Sequence, residues 1–347
     1  MFKPTFTITT EINSRIAEIE KLNSAFNHTT ILPELEVQLR FRATVESIYS
    51  STSIEGNPLN KQEVEKTVSG KHITASDYAI REVLNYKNAL DWINRQENNK
   101  HLTNKNILHL HKLAMKDLLP QKKVGLWRKG PIYIIDEING KEIVQYQGPD
   151  AQLLPSLVST FLKWIALQQK TALHPVLLAG LIHYIFVSIH PFADGNGRTT
   201  RLLTTNYLKN IKYDFRGSLS LDSFYLSNRQ EYYQKLSLAD NFDGRMQADL
   251  TPFLDFFTKG FLHSTQDLNQ YIMLNTKISD KKKPIRLNKD EMAVLEYVHQ
   301  FQSINLGEAE KILRIPRRTV QRRLAKLVEF DLLEKRGQGP NTIYVRG

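Results

Sequence analysis

HPFADGNGRTTR, residues 190–201, lies between two predicted helices and sets how they meet. The apolar stretch before it predicts a buried helix over Pro175–Ile189. Pro191 disfavours helical geometry in the residue before it, so we expect that helix to end close to His190. Gly195 and Gly197 tolerate positive φ angles, and a second helix is predicted to begin near Gly197. His190 is therefore expected at a helix end that faces a loop.

The glycine-rich part of this segment predicts an anion site. Successive backbone N–H groups of residues 195–197 can point into one concavity, and the N-terminal dipole of the following helix adds to the same field. Arg198 and Arg201 are three residues apart on that helix, so both guanidinium groups can reach one anion. This combination favours phosphate as the ligand.

Two further side chains supply reactive groups beside the anion. Asp194 offers a carboxylate that can hold Mg²⁺ together with phosphate oxygens and water. His190 is largely neutral near pH 7 and can accept a proton from a hydroxyl group. The segment as a whole therefore predicts a phosphoryl- or nucleotidyl-transfer site.

Competing motifs fail on spacing. A Walker A loop needs lysine where Arg198 stands. An EF-hand beginning at Asp194 would need glycine and glutamate where Thr199 and Thr205 stand. His183 has no third suitable metal ligand nearby, so we interpret it as a core histidine rather than a zinc ligand.

The segment resembles the complete motif of the Fic family at nine positions, which are His190, Pro191, Phe192, Asp194, Gly195, Asn196, Gly197, Arg198 and Arg201. Weaker likenesses flank it. Residues 125–128 (GLWR), followed by a predicted β-hairpin with Asn139-Gly140 at its turn, are similar to the family's flap. Residues 228–233 (NRQEYY) resemble the stretch that closes around adenine. The resemblance covers about residues 30–265.

The resemblance implies a helical protein that uses ATP and Mg²⁺ to transfer AMP to a hydroxyl side chain of a target protein. His190 would be the base and Asp194 the metal ligand. The nucleotide would be bound by Gly195, Asn196, Gly197, Arg198, Arg201 and Tyr232. Ordinary helix packing is an alternative for Tyr232. The hairpin would hold the target as an added strand.

A second likeness concerns inhibition. Residues 51–57 (STSIEGN) resemble the family's inhibitory motif, with Ser51, Glu55 and Gly56 at its specified positions. The carboxylate of Glu55 would pair with Arg201 and place negative charge where the phosphate tail belongs. The alternative is an ordinary helix end, because Gly56 is also typical of a C-cap.

Composition narrows the class of protein. The 347 residues include no cysteine, which excludes disulfides, thiolate metal sites and a cysteine nucleophile. We predict no membrane span, no secretion signal and a cytoplasmic location. The net charge is +11, and 15 basic against 8 acidic residues give residues 281–347 a charge of +7.

The predicted fold is mainly α, a Fic-type helical bundle with a β-hairpin flap and a C-terminal winged helix-turn-helix. Four regions are expected: an N-terminal helical region (1–100), a catalytic core (101–265), a linker (266–284) and the winged helix (285–347). Within the last, Pro316 to Glu329 predicts a recognition-type helix, with Val320, Leu324, Leu327 and Val328 on its apolar face.

Alternatives to autoinhibited AMP transfer stay open. The basic run of residues 311–326 also predicts a DNA-binding regulator. The same catalytic site could remove AMP or transfer another nucleotide. A target protein is an expected partner, and DNA and a second copy of the chain are further candidates.

Overall fold

The helical body is built around one fully apolar helix. The structure, a computed structural model, describes residues 2–96, 102–138, 141–276, 285 and 287–347. Its elements up to the end of the body are α1 (Thr10–His28), α2 (Pro33–Ile54), α3 (Lys61–Val68), α4 (Asp77–Arg95), α5 (Asn104–Ala114), β1 (Tyr133–Ile138), β2 (Lys141–Gln147), α6 (Leu154–Gln168), α7 (Pro175–Ile189), α8 (Asn196–Asn210), α9 (Asp222–Ser227), α10 (Arg229–Leu236), α11 (Phe242–Gln247) and α12 (Thr251–Thr276).

Helix α7 is the centre of this body. Every residue from Val176 to Ile189 is buried, as expected for a helix that is apolar on all sides. Helices α6, α8 and α12 pack around it. The predicted bounds of α7 are confirmed. None of the helices in the described part of the chain is long and apolar enough to cross a membrane.

Helix α2 is the second organising element, because it contacts α3, α4, α8 and α9. It begins with Pro33 in its first turn, where the missing N–H costs no hydrogen bond. It ends at Ile54 with Glu55 as its C-cap, and Gly56 follows with φ +96°. Asn60 and Glu63 then form a capping box at the start of α3.

Strands β1 and β2 form the predicted antiparallel hairpin, with Tyr133 opposite Gln147 and a register shift between Ile134 and Ile135. Its Asn139-Gly140 turn lies outside the described residues. Tyr146 anchors the hairpin to the body, because its buried hydroxyl donates to the carbonyl of Ser188. Exposed apolar residues lie on both faces of the hairpin. Among the described residues, its strands pair with another element only at Gln147, whose N–H donates to the Asp240 carbonyl, so the rest of the strand edges is free.

The C-terminal module contains α13 (Lys289–Phe301), β3 (Ser303–Asn305), α14 (Leu306–Leu313), α15 (Arg317–Glu329), β4 (Leu333–Arg336) and β5 (Ile343–Arg346). Val320, Leu324 and Leu327 of α15 are buried in its core, as predicted. Its three strands form one sheet, in which β5 pairs with both β3 and β4. This order of elements agrees with the predicted winged helix-turn-helix. Pro316 is the N-cap of α15 rather than part of its first turn.

The predicted linker is too long at its N-terminal end. Helix α12 continues to Thr276 and so occupies residues 266–276 of the 266–284 stretch. Its apolar residues Leu268 and Ile272 remain buried against the body, which explains why the helix does not end at 265. Residues 277–284 lie outside the described part of the chain.

The module packs against α2. Val37 belongs to the module's apolar core, and an Arg40 guanidinium nitrogen lies 2.7 Å from a Glu296 carboxylate oxygen. Phe41 lies one turn after Val37 on α2, and its ring meets that of His299 edge to face, with centroids 5.1 Å apart. The same helix therefore contacts the module along one part and carries residues 51–54 at its end.

Candidate active site

His190 and the start of α8 lie opposite each other across a short loop. His190 caps α7 in a left-handed conformation (φ +47°), and Gly195 caps α8 at φ +75°. Helix α8 begins at Asn196, one residue earlier than predicted. An added Cβ at 195 or 197 would lie 2.4 Å from the Met115 sulfur or from a Glu55 carboxylate oxygen, respectively, so that side chain would have to move. Gly197 lies within α8 and does not use the positive φ that glycine permits.

The Asn196 side chain closes this loop. Its amide oxygen accepts from the Phe192 N–H, and its amide nitrogen donates to the Phe192 carbonyl, both at 2.9 Å. Asn196 can therefore serve an anion through its backbone N–H, while its side chain fixes the loop.

The tautomer of His190 suits a base. Its Nδ1 lies 3.0 Å from the Val187 carbonyl oxygen and so carries the proton, which leaves Nε2 with a free lone pair. Burial, with the charges of Arg245 and Arg128, lowers the His190 pKa to about 4. The ring is therefore neutral at pH 7 and able to accept a proton.

Arg128 and His111 hold the loop in place, and sequence reasoning did not identify either as a site residue. Arg128 Nε donates to the His190 carbonyl at 2.9 Å. His111 accepts from the Gly125 N–H at Nδ1 and donates from Nε2 to the Asp194 carbonyl at 3.0 Å. Its ring also stacks on Phe192 at 3.7 Å. Arg128 falls within the GLWR segment, whereas nothing near His111 in the sequence points to Asp194.

Arg201 is bound by the end of α2. Its Nη2 lies 2.7 Å from a Glu55 carboxylate oxygen, and its Nε donates to the Ser51 hydroxyl at 2.7 Å. Burial alone would raise the Glu55 pKa, but the charges of Arg201 and Arg198 bring it below its ordinary value. Asp222, which sequence reasoning missed, lies 3.7 Å from Arg201 Nε. The structure thus brings together the predicted inhibitory residues and the second arginine of the motif.

Arg198 is bound by a different carboxylate. Glu82 on α4 forms a buried ion pair with Arg198 Nη1 and also accepts from the Asn57 amide at 2.8 Å. Burial raises the Glu82 pKa above its ordinary value, although Arg198 opposes this. Sequence reasoning missed Glu82, because a lone glutamate in a helical segment carries no local signal. Each arginine of the motif therefore faces one carboxylate from the N-terminal region.

Asp194 fits the predicted role of a metal ligand. Its side chain is 49% exposed, and it borders a cavity of about 230 Å³ together with Glu55, Glu82 and Arg198. The described residues contain no cluster of three or more groups that could hold a metal by themselves. One accessible carboxylate beside a phosphate site suits Mg²⁺, which is commonly held by one or two carboxylates and by substrate phosphates.

Tyr232 lies in an aromatic layer beneath the site. Its ring stacks on Tyr225 with centroids 4.8 Å apart, and only 1% of the residue is exposed. Its hydroxyl lies 2.8 Å from His183 Nε2, and the other His183 nitrogen lies 3.2 Å from the Thr204 hydroxyl. These contacts support the packing alternative for Tyr232 and the interpretation of His183 as a core histidine. Adenine contact by Tyr232 stays a prediction.

Residues 101–208 match the model of the Fic/DOC family. The chain contains a Fic domain. The match includes all twelve residues of the 190–201 segment, so the predicted Fic domain is confirmed by the region on which the prediction rested.

Curated relatives extend the likeness beyond the domain. The chain is 30% identical over 313 residues to a protein adenylyltransferase Fic of Drosophila erecta, a match that covers 85% of this chain and 55% of that protein. The protein adenylyltransferase Fic of Drosophila melanogaster is 29% identical to this chain, in a match that covers 85% of this chain and 56% of that protein. The chain spans about half the length of these relatives.

Solved structures show the same fold. A Fic family protein from Desulfovibrio desulfuricans covers 100% of this chain and 98% of its own, with a TM-score of 0.65 and 24% identity. A Fic domain containing signaling protein from Bacteroides thetaiotaomicron has a TM-score of 0.61 and 22% identity, over 75% of this chain and 98% of its own. The predicted mainly helical Fic-type fold is confirmed.

Proposed function

We propose that this protein transfers AMP from ATP to a hydroxyl side chain of a target protein, and that Glu55 inhibits this activity. The main support for this proposal is the neutral His190, whose free Nε2 lies across a loop from the N-terminus of α8. Both arginines of the motif are buried on that helix. The names of the curated relatives support the same reaction.

The reaction follows from these positions. His190 Nε2 accepts the hydroxyl proton as the target oxygen attacks the α-phosphorus of ATP, and pyrophosphate leaves. Backbone N–H groups at the start of α8, with Arg198 and Arg201, stabilise the charge on the phosphates. A Mg²⁺ held by Asp194 would supply further charge neutralisation when bound. The protein's own residues thus orient the phosphates and remove the proton.

The hairpin offers the place for the target. Ile134, Ile135, Ile143 and Val144 are exposed apolar residues on β1 and β2. A two-stranded sheet with free edges can accept an extended segment as a third strand, which adds backbone hydrogen bonds. The segment would then pass close to His190, because Tyr146 of β2 lies 6.4 Å from its ring.

Inhibition follows from charge and space. The Glu55 carboxylate accepts a hydrogen bond from the Arg201 guanidinium, and it lies against Gly197 at the start of α8. A phosphate at this position must displace that carboxylate or be repelled by it. Ser51 also binds Arg201, because its hydroxyl accepts from Nε at 2.7 Å and its carbonyl accepts from Nη2 at 3.0 Å, which helps to fix the pair in one geometry.

The test compares label transfer from ATP labelled at the α-phosphate, with Mg²⁺, into the chain itself and into added proteins. We expect little transfer by wild type, a clear gain in Glu55→Gly and its loss in Glu55→Gly/His190→Ala. Ser53→Gly is the matched control, because it loosens the same turn and keeps the carboxylate. Equal transfer by wild type and Glu55→Gly would contradict inhibition, and transfer unaffected by His190→Ala would contradict the assigned base. Removal of AMP from a labelled target by wild type would favour the reverse reaction.

A second candidate function is binding of duplex DNA by the C-terminal module. On α15, Arg318 and Arg322 are exposed and form no ion pair or hydrogen bond with any residue that the structure describes. Arg323 and Lys326 differ, because both pair with the buried Glu291. Two unpaired arginines one turn apart are suited to phosphate contacts.

The DNA candidate is tested by the salt dependence of affinity for a duplex. We expect Arg318→Ala/Arg322→Ala to reduce the slope of log K against log salt by about 2. Arg42→Ala/Arg95→Ala removes the same charge elsewhere and should leave the slope unchanged. An unchanged slope in the α15 variant would contradict this function. A homodimer also stays a prediction, to be tested by measuring mass in solution.

A further inference from the structure

A larger cavity lies apart from the phosphate site, and it contains a buried arginine. Its volume is about 530 Å³, within the range typical of small-molecule sites. Its wall comes from the N-terminal residues 2–5, from α6 and α7, and from α11 with the residues after it. None of its lining residues borders the 230 Å³ cavity beside Asp194.

Arg245 on α11 is the unusual member of this wall. It is only 3% exposed, and its Nε donates to the Ala239 carbonyl at 3.1 Å. Its two terminal nitrogens have no hydrogen-bond partner among the described residues, and none of the ion pairs found in those residues includes it. Burial lowers its pKa, as expected for a charge removed from water without a carboxylate beside it. A buried cation of this kind is costly unless something compensates its charge.

The compensation inside the protein is partial. The Arg245 guanidinium carbon lies 3.6 Å from the centre of the Tyr146 ring, a cation–π contact. That contact uses one face of the guanidinium and leaves the edge formed by Nη1 and Nη2 free, because only Nε has a hydrogen-bond partner among the described residues. The acidic residue in the described wall, Asp243, is exposed and forms no ion pair with Arg245.

The rest of the wall combines apolar residues with a second positive charge, and this combination indicates the chemistry of the ligand. Phe2, Leu157 and Ile185 give an apolar surface, and the exposed Lys3 adds positive charge at the rim. The N-terminal segment is fixed rather than loosely placed, because the Leu250 N–H donates to the Thr5 carbonyl at 2.8 Å. An apolar wall beside an unpaired guanidinium fits a molecule with an apolar body and one planar anionic head.

We propose that this cavity binds a small organic carboxylate, with its carboxylate on the free edge of Arg245 and its apolar part against Phe2, Leu157 and Ile185. The planar guanidinium fork matches a carboxylate in two parallel hydrogen bonds. The site adjoins the base of the hairpin through Tyr146. It is independent of the proposed AMP transfer, because its test measures binding alone.

The test uses 4-phenylbutyrate and its uncharged analogue 4-phenylbutanol, titrated into the full chain by ligand-detected NMR. We expect the acid to bind wild type at least about tenfold more tightly than Arg245→Met, as for loss of a charged hydrogen-bonded pair. Arg42→Met is the matched control, because Arg42 is an exposed arginine stacked on Tyr271, and it should bind the acid like wild type.

Two results would overturn the proposal. One is equal affinity of the acid for wild type and Arg245→Met, and the other is equal binding of acid and alcohol by wild type. Should Arg245→Met fail to fold, Thr160→Trp fills the cavity from α6 and keeps Arg245. We expect Thr160→Trp to lose the acid, and retained binding would also contradict the site.

Discussion

At the scale of single residues, the two arginines of the motif share one design. Arg198 and Arg201 are 3% and 2% exposed, and each is neutralised by a carboxylate from another helix or its cap. A buried charge pair is costly to break when one partner stays behind. The pairs therefore keep the guanidinium groups in place when no phosphate is present.

Glu82 should consequently be important for stability. We expect Glu82→Gln to lower the free energy of unfolding by about 2 kcal/mol, because Arg198 stays buried with only the half-exposed Asp194, 3.5 Å away, as a charge partner. Urea denaturation measures this change. Glu82→Gln/Arg198→Met should recover part of the loss, and a Glu82→Gln protein as stable as wild type would contradict the importance of the pair.

Buried histidines predict a pH dependence of stability. Burial lowers the pKa values of His111 and His190 to about 4 and of His183 to about 3. The unfolded chain binds these protons near pH 6.5, so this stability is complete above pH 6.5 and is lost as pH falls toward 4. Asp214 has the opposite effect on stability. Burial raises its pKa to about 6, so near pH 5 the folded chain binds a proton there that the unfolded chain lacks.

We expect the free energy of unfolding to fall as pH is lowered from 7 to 5, although the buried carboxyls of Asp222 and Glu82, whose pKa values burial also raises, oppose part of this loss. Urea denaturation between pH 5 and 7 measures the slope. His183→Gln should reduce it by about 1.4 kcal/mol per unit, since it removes one of the three histidines. An unchanged slope in His183→Gln would show that His183 binds its proton equally in the folded and the unfolded chain.

The sequence predicted the local part of the site and missed the distant part. His190, Asp194 and both arginines stand within twelve residues, so their spacing alone was sufficient to bring them together. Glu82 contacts Arg198 from 116 residues away, and His111 contacts Asp194 from 83. Such partners depend on how helices pack, which a single sequence does not encode as a motif.

At the scale of elements, α15 divides its basic residues between two tasks. Arg323 and Lys326 surround Glu291, a fully buried carboxylate of α13 whose pKa they hold below its ordinary value against the effect of burial. Arg318 and Arg322 face solvent. Two of the seven basic residues of the 311–326 run therefore join α15 to α13 instead of facing solvent.

This division predicts different stability effects on one helix. Arg323→Ala should lower the free energy of unfolding of the module by about 1 kcal/mol, because Glu291 remains buried with one cation fewer. Arg318→Ala should stay within about 0.5 kcal/mol, as for an exposed site without contacts. Thermal unfolding of the two variants compares them directly, and equal effects would contradict the division.

At the scale of the whole molecule, α2 joins the module to the catalytic site. Arg40 and Phe41 contact α13, and Ser51 contacts Arg201 about three turns later. The helix bounds were predictable from periodicity and Gly56. The packing of the module against α2 was not predictable, because Val37 and Phe41 look like ordinary apolar residues of a helix in the sequence.

The docking contact is testable by a double-mutant cycle. The Arg40 and Glu296 side chains are 30% and 40% exposed, so we expect a coupling energy of only about 0.5 kcal/mol, reduced by salt. Arg40→Ala, Glu296→Ala and the double variant are compared by urea denaturation. Strict additivity would show that the pair does not join module and body.

The most direct measurement of the central claim uses the Glu55→Gly protein with ATP labelled at either the α- or the γ-phosphate. We predict that label enters protein from the α-phosphate alone and that pyrophosphate is released. Transfer from the γ-phosphate, or no transfer from either, would contradict AMP transfer as the activity of this site.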